Sequence, residues 1–239
     1  MTIVATLAEV TLRGLLGRRR TLLLVLLAAL PVLLAVLARL GGEVPDVPAA
    51  LDALSVRIVL PLIALVLGTA ALGAEIEDGT AVYLLVKPIQ RLQIVLAKIA
   101  VAALLTAALA APSALLTGVV MGGGAGALDA TIAVTVAIVV GSLAYSAAFV
   151  AVSVITTRAL VVGLVYTIIW EGVLAGILVG TKILSIREAV LGIADTLAPG
   201  AFEGGLESIQ AIGLVLVVVI GGTMLAAWRL AHHEVRGGD

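Results

Sequence analysis

Long apolar runs separated by short charged or glycine-rich segments set the rhythm of the chain. They cover residues 21–38, 55–74, 99–120, 131–154, 160–180 and 208–228. Each holds about 20 residues, the length a helix needs to cross an oily core of roughly 30 Å. The pattern predicts an all-α integral membrane protein with six transmembrane helices in a single domain, 1–239. A different pattern precedes the runs. In residues 1–17, Thr2, Thr6, Glu9 and Arg13 share one face at helical spacing, with Ile3, Val4, Leu7, Val10 and Leu15 largely on the others. This predicts an amphipathic helix lying in the membrane interface.

Arg18, Arg19 and Arg20 before an apolar run also resemble a secretory or twin-arginine signal. No small-x-small cleavage site follows and five further runs do, so the segment reads as an uncleaved first span. Pro31, Pro61 and Pro112 fall inside spans and predict kinks. The glycines, Gly141, Gly163, Gly213, Gly221 and Gly222 among them, let helix backbones approach closely where lipid offers no hydrophobic drive.

The connecting segments differ in kind. Residues 39–54 read as a loop with Pro45 and Pro48, and residues 121–130 as a glycine-rich turn. Residues 181–207 are semi-apolar, with Ile183, Leu184, Ile186, Val190, Leu191, Ile193 and Leu197 at near-helical spacing. Too short and too charged to span, they predict a helical or re-entrant element at the outer face.

Composition agrees with the pattern and narrows the chemistry. The chain is 62% hydrophobic and 12% charged, far from the roughly 25% charge of a soluble domain. With no cysteine it has neither a disulfide framework nor a thiolate nucleophile. No basic patch with interleaved aromatics suggests nucleic acid. Lys and Arg set the orientation. With the N-terminus inside, ten of the 14 basic residues face the cytoplasm: Arg13, Arg18, Arg19, Arg20, Lys87, Arg91, Lys98, Arg158, Arg229 and Arg236. Arg39, Arg57, Lys182 and Arg187 fall outside. Both termini are expected in the cytoplasm of a plasma-membrane protein.

Catalytic signatures are missing. Gly180-Thr181-Lys182 is not a P-loop, and Gly122-Gly123-Gly124-Ala125-Gly126 lacks the flanking strand and acid of a nucleotide site. His232-His233-Glu234 does not have the spacing of a zinc helix, and no Gly-x-Ser-x-Gly elbow occurs. The sequence predicts no catalytic residue, no metal site and no cofactor held by this chain.

The stretch EIEDGTAVYLLVKPIQR, residues 75–91, interrupts two spans with acids, a Gly-Thr, an apolar run and Lys-Pro. Asp78, Gly79 and Thr80 can cap a short helix whose dipole the acids complement. Pro88 stops it from running into the next span. Either a short cytoplasmic helix exposing Tyr83, Leu84 and Leu85, or an ordinary loop against the headgroups, satisfies this pattern.

Glu75, Glu77, Asp78, Gly79, Thr80, Tyr83, Leu84, Leu85, Pro88 and Arg91, with Lys98 opening the next span, resemble the cytoplasmic segment of type-2 ATP-binding-cassette permeases. Trp170-Glu171-Gly172 and Ser185-Ile186-Arg187 form a second match. The resemblance covers nearly the whole chain: an N-terminal elbow helix, six spans and a semi-apolar outer segment. It implies the permease subunit of an exporter, working as a dimer within membrane lipid. ATP and Mg would bind a separate cytoplasmic ATPase, which residues 75–98 would grip as the coupling helix. Glu171, a lone acid within a span, is expected to bond polar neighbours, to pair with Arg57, or to join an outer gate with residues 181–207. An alternative is a secondary transporter using the intramembrane carboxylate Glu171; a third reading, a membrane enzyme, lacks catalytic groups in the spans.

Overall fold

The computed structural model describes residues 9, 11–12, 14–15, 17–42, 46–77, 90–122, 124–174, 179–202 and 205–232. Among these residues every regular element is helical. Helix α1 is Arg18–Leu40, and α2 covers residues 47–77 as the unbroken series Val47–Ala50, Leu51–Val59 and Leu60–Glu77. Next come α3, Arg91–Met121, and α4, Ala125–Ile155. Helix α5 covers residues 159–174 as Ala159–Val165 followed by Tyr166–Leu174. A 3-10 turn, Val179–Leu184, leads into α6, Ile186–Leu197, and α7 is Ser208–Ala231.

Four of these, α1, α3, α4 and α7, together with Val47–Gly73 of α2, are long and apolar enough to cross a membrane. Of the fifth predicted span, 160–180, α5 is helical through Leu174 and Val179 opens the 3-10 turn, with residues 175–178 outside the described residues; the described apolar helix is Ala159–Gly172. The remaining helices outrun the predicted spans. Helix α2 starts at Val47 rather than 55 because Pro48, read as a loop residue, occupies the first turn, where a missing N–H is harmless. Helix α3 starts at Arg91, so Lys98 lies a helical turn and more inside it and is buried. Helix α4 begins at Ala125, within the predicted glycine-rich turn. A helix continues for as long as its backbone bonds are met, whatever the composition of its ends.

Of the N-terminal segment, Glu9, Thr11, Leu12, Gly14 and Leu15 are helical, with Glu9 exposed and Thr11 and Leu15 buried. The remainder of 1–16 lies outside the described residues, Arg13 included.

Helix α4 is the post of the bundle, packed against α2, α3, α6 and α7. From Thr131 to Ile155 it carries no charge, and Ala133, Ala137, Tyr145, Phe149 and Val150 are buried along it. Helices α1 and α7 are peripheral and keep broad apolar faces exposed, Leu22, Leu26, Leu33 and Leu37 on one, Val217, Met224 and Trp228 on the other. Between membrane helices, close packing and hydrogen bonds replace hydrophobic drive. Accordingly Ser113 of α3 donates to the Ala28 carbonyl of α1. A Cβ on Gly118 of α3 would fall 2.8 Å from the Cβ of Thr131 on α4, so the glycine sets their separation.

Two stretches are wound as π-helix, Leu51–Val59 in α2 and Tyr166–Leu174 in α5. The first gives way at Leu60, whose N–H reaches back to the Ser55 carbonyl, directly before Pro61. Proline cannot donate, so the four-residue ladder is interrupted there in any case. Such wide turns re-aim side chains and cluster at functional places. The expected proline kink at 61 is thus met by a change of helical winding.

Within residues 181–207, α6 packs into the bundle. Helix α6 runs inside it, antiparallel to α4. Its first residue, Ile186, shares an apolar cavity with Phe149 and Val152, while Leu197 shares another with Gly126 and Asp129. Midway, a Cβ on Gly141 would meet the Val190 side chain at 2.5 Å and Leu60 at 3.1 Å. The chain then folds back on α6: the Leu206 N–H donates to the Glu188 carbonyl at 3.1 Å. A Cβ on Gly192 would lie 2.1 Å from the Leu206 carbonyl oxygen, which is rigid backbone. Gly192→Ala is therefore expected to destabilise the protein by about 1–3 kcal/mol. Gly213→Ala, with nothing within 4 Å of the new carbon, should be neutral or slightly stabilising. Thermal unfolding of the two variants in the same detergent checks the contrast, and equal melting temperatures would contradict the contact.

Candidate functional site

The first turn of α6 gathers the polar residues of the bundle. Ser185 caps it, accepting a hydrogen bond from the Glu188 N–H at 3.2 Å. Sequence explains the start: Ser-Ile-Arg-Glu has the spacing in which a cap serine and an acid three residues on serve a helix N-terminus. The same serine hydroxyl donates to Glu171 Oε2 at 2.7 Å.

Glu171 arrives from the π-helical part of α5 and is 2% exposed. Its Oε1 accepts from the Tyr166 hydroxyl at 2.7 Å and from the Ile186 N–H at 2.9 Å. Its Oε2 accepts from Ser185 and from the Arg187 N–H at 3.1 Å. All four partners are donors, which is what an ionised carboxylate, an acceptor on both oxygens, requires. The two amides are among those a helix N-terminus leaves without intrahelical partners, and the helix dipole favours a negative charge there. A carboxylate that would be costly inside a membrane is thereby placed where its charge is best met.

Arg187 extends the cluster toward α2. Its Nε donates to Asp52 Oδ1 at 2.9 Å and its Nη2 donates to Asp52 Oδ2, a two-pronged grip. The Nη1 donates to Glu188 Oε1 at 2.6 Å. Arg57 stands farther off, its Nη2 3.8 Å from Asp52 Oδ2. Beneath the cluster the aromatic rings of Tyr145, Phe149 and Tyr166 pack with centroids 5.9 Å and 6.5 Å apart and hold the Tyr166 hydroxyl toward Glu171.

Toward the C-terminal end of α6, an open cavity of about 850 Å³ is lined by Asp46, Gly122, Asp129, Leu197 and Gly200. A second, of about 380 Å³, shares the wall at Asp46 and Gly200 and reaches Asp52. Three helices, α2, α5 and α6, are thus tied through one hydrogen-bonded chain beside these cavities. This arrangement supplies no nucleophile or acid–base pair. It can hold α6 against α2 and α5, and it must break if they part. No group of three or more metal-ligating side chains occurs among the described residues.

Of the residues expected at functional sites, Glu171 and Arg57 lie on the same side of the bundle without pairing. Glu171 bonds Tyr166 of its own helix and three donors of the 181–207 segment, and Arg57 pairs with Asp52. The backbone of Glu75 and Glu77 belongs to the last turn of α2, and Arg91 opens α3. Asp78, Gly79, Thr80, Tyr83, Leu84, Leu85 and Pro88 lie outside the described residues. Sequence reasoning missed Asp52, Tyr166 and Glu188. Asp52 falls in the segment 39–54 that reads as a loop, whereas Glu188 is legible from the cap spacing.

Residues 16–187 match the family described as ABC-2 family transporter protein. The matched stretch takes in α1 to α5 and ends at Arg187, within the cluster. No curated protein matches the chain.

Proposed function

Because the chain belongs to the ABC-2 family of transporter proteins, as a multi-pass membrane component, we propose that it is the permease half of an ATP-driven exporter. Two copies form the substrate path, and a cytoplasmic ATP-binding-cassette ATPase, which holds the ATP and Mg, drives it. The observation that carries this reading is the extent of the match, 16–187, over a chain with no P-loop of its own. In this reading the end of the bundle bearing Arg20 and Arg158 faces the cytoplasm of the plasma membrane, since basic residues stay on that side. The predicted span 160–180, of which α5 is a described part, is the fifth membrane segment, and α6 is re-entrant from the outer face, its polar first turn buried in protein as lipid demands. The 850 Å³ cavity is then the outer mouth. The Asp52–Arg187–Glu171 chain acts as the outer latch, closed here and opened when α6 moves. A secondary transporter would need Glu171 free to exchange ions, whereas all its close partners are donors of its own chain.

Residues 75–98 serve as the ATPase-coupling segment, with Tyr83, Leu84 and Leu85 as anchors. The chain's lack of cysteine permits a direct test. Single cysteines at Gly79 and Leu84 should react with an impermeant thiol reagent only from the cytoplasmic side, and bound ATPase should protect them. A cysteine at Gly123 should react only from the opposite side. Tyr83→Ala with Leu84→Ala should weaken ATPase binding by about 2 kcal/mol or more, as loss of aromatic and aliphatic anchors does. Unchanged binding and no protection would refute the coupling role, and ATP turnover by this chain alone would refute the division of labour.

A further inference from the structure

We propose that a cavity at the Arg20–Arg158 end of the bundle binds the phosphate headgroup of an anionic phospholipid. The cavity, about 400 Å³, lies between the first turn of α1, the end of α2 and the junction of α4 with α5. Arg20 and Arg158 both line it, and among the described residues no carboxylate does. Among the described residues neither guanidinium is in an ion pair, unlike Arg57 and Arg187. Two unneutralised guanidiniums facing one concavity form a fork suited to phosphate oxygens.

The hydroxyls sort themselves by direction. Thr69 and Ser153 donate backward to the Leu65 and Val150 carbonyls, at 2.6 and 2.8 Å, and close the floor of the cavity. Thr156 instead accepts from the Arg158 N–H at 3.1 Å, which leaves its own proton free to donate to an anion. Thr157 beside it is exposed.

The remaining wall decides between a lipid and a free anion. Leu160 and Val161, 51% and 57% exposed, carry the rim onto the apolar face of α5, where Leu164, Val165 and Ile168 follow. A water-soluble phosphate has no use for that face, whereas acyl chains would lie along it with their headgroup in the cavity. Arg18, Arg19 and Arg229 stand exposed at the same end of the bundle and add a positive field. Basic residues at this position attract anionic headgroups. The occupant is therefore a lipid of the leaflet on this side, independent of whether the chain exports anything.

The test is native mass spectrometry of the purified full-length chain released from vesicles containing phosphatidylglycerol and phosphatidylcholine in equal amounts. Phosphatidylglycerol should be retained about tenfold better, and Arg20→Gln with Arg158→Gln should abolish the preference, while Arg18→Gln with Arg19→Gln should leave most of it. Arg20→Lys with Arg158→Lys, which keeps the charge and the fold, should keep only part of it. Inorganic phosphate at millimolar concentration should not displace the lipid. Equal retention by wild type and the glutamine pair, or loss of preference only with Arg18 and Arg19, would overturn the site. Displacement by inorganic phosphate would overturn the lipid as its occupant.

Discussion

Glu171→Leu is expected to cost the protein several kcal/mol of stability, and transport with it. The carboxylate accepts from two hydroxyls and two backbone amides; Ser185, Ile186 and Arg187 are buried with it and Tyr166 is half-buried. The hydroxyls of Tyr166 and Ser185 can rotate toward other acceptors, but the amides of Ile186 and Arg187 are fixed by the helix they begin. Each buried donor left without an acceptor costs about 1–3 kcal/mol. Two amides together are then a large fraction of a total stability of about 5–15 kcal/mol. Glu171→Gln is the finer probe. Its amide keeps one acceptor oxygen, so the nitrogen must face the N–H of either Ile186 or Arg187, whichever way the group is turned. One amide is orphaned instead of two, and the variant should assemble, melt at an intermediate temperature and transport more slowly. Thermal unfolding in lipid nanodiscs, paired with ATP-dependent transport after reconstitution, reads both effects. A Glu171→Leu protein that melts like wild type would show that the carboxylate does not hold the start of α6.

Arg187→Ala is expected to rival it. Removing this guanidinium strands Asp52 beside a distant Arg57 and leaves Glu188 buried without its cation. Breaking a buried ion pair from one side costs about 3–5 kcal/mol. Arg187→Lys should rescue little, because an ammonium cannot engage both oxygens of Asp52 as the fork does. Arg57 sits nearly half exposed at 3.8 Å, so Arg57→Ala should cost less than about 1 kcal/mol. A double-mutant cycle between Asp52→Ala and Arg187→Ala isolates the pair. Coupling no larger than that between Asp52 and Arg57, or a lysine variant indistinguishable from wild type, would remove the latch from the mechanism.

The two sites differ in how far the sequence announced them. The apolar helices were plain because lipid imposes composition over whole turns, and Glu171 stood out as an acid in such a run. Its partners did not. Two are backbone amides of a helix start, and no residue type marks those; Arg57, one partner expected for Glu171, lies beside Asp52. Asp52 was hidden by Pro45 and Pro48, which read as loop signals although Pro48 opens a helix. Winding was equally invisible: nothing in LDALSVRIV or YTIIWEGVL distinguishes a π-helix from an α-helix, yet that winding carries Asp52 and Glu171 into the cluster.

The tie between Glu171 and the start of α6 also bears on biosynthesis. A growing chain that has reached Leu174 carries the carboxylate but not yet Ser185, Ile186 or Arg187, which supply three of its four donors. An acid stranded at the centre of a membrane segment is opposed by about 2.5–3.5 kcal/mol on insertion scales. The α5 segment thus gains little from leaving the translocation channel alone. It gains most when the next few residues have emerged, so that α5 and α6 enter the bilayer as one hairpin whose tip is held by its own charge.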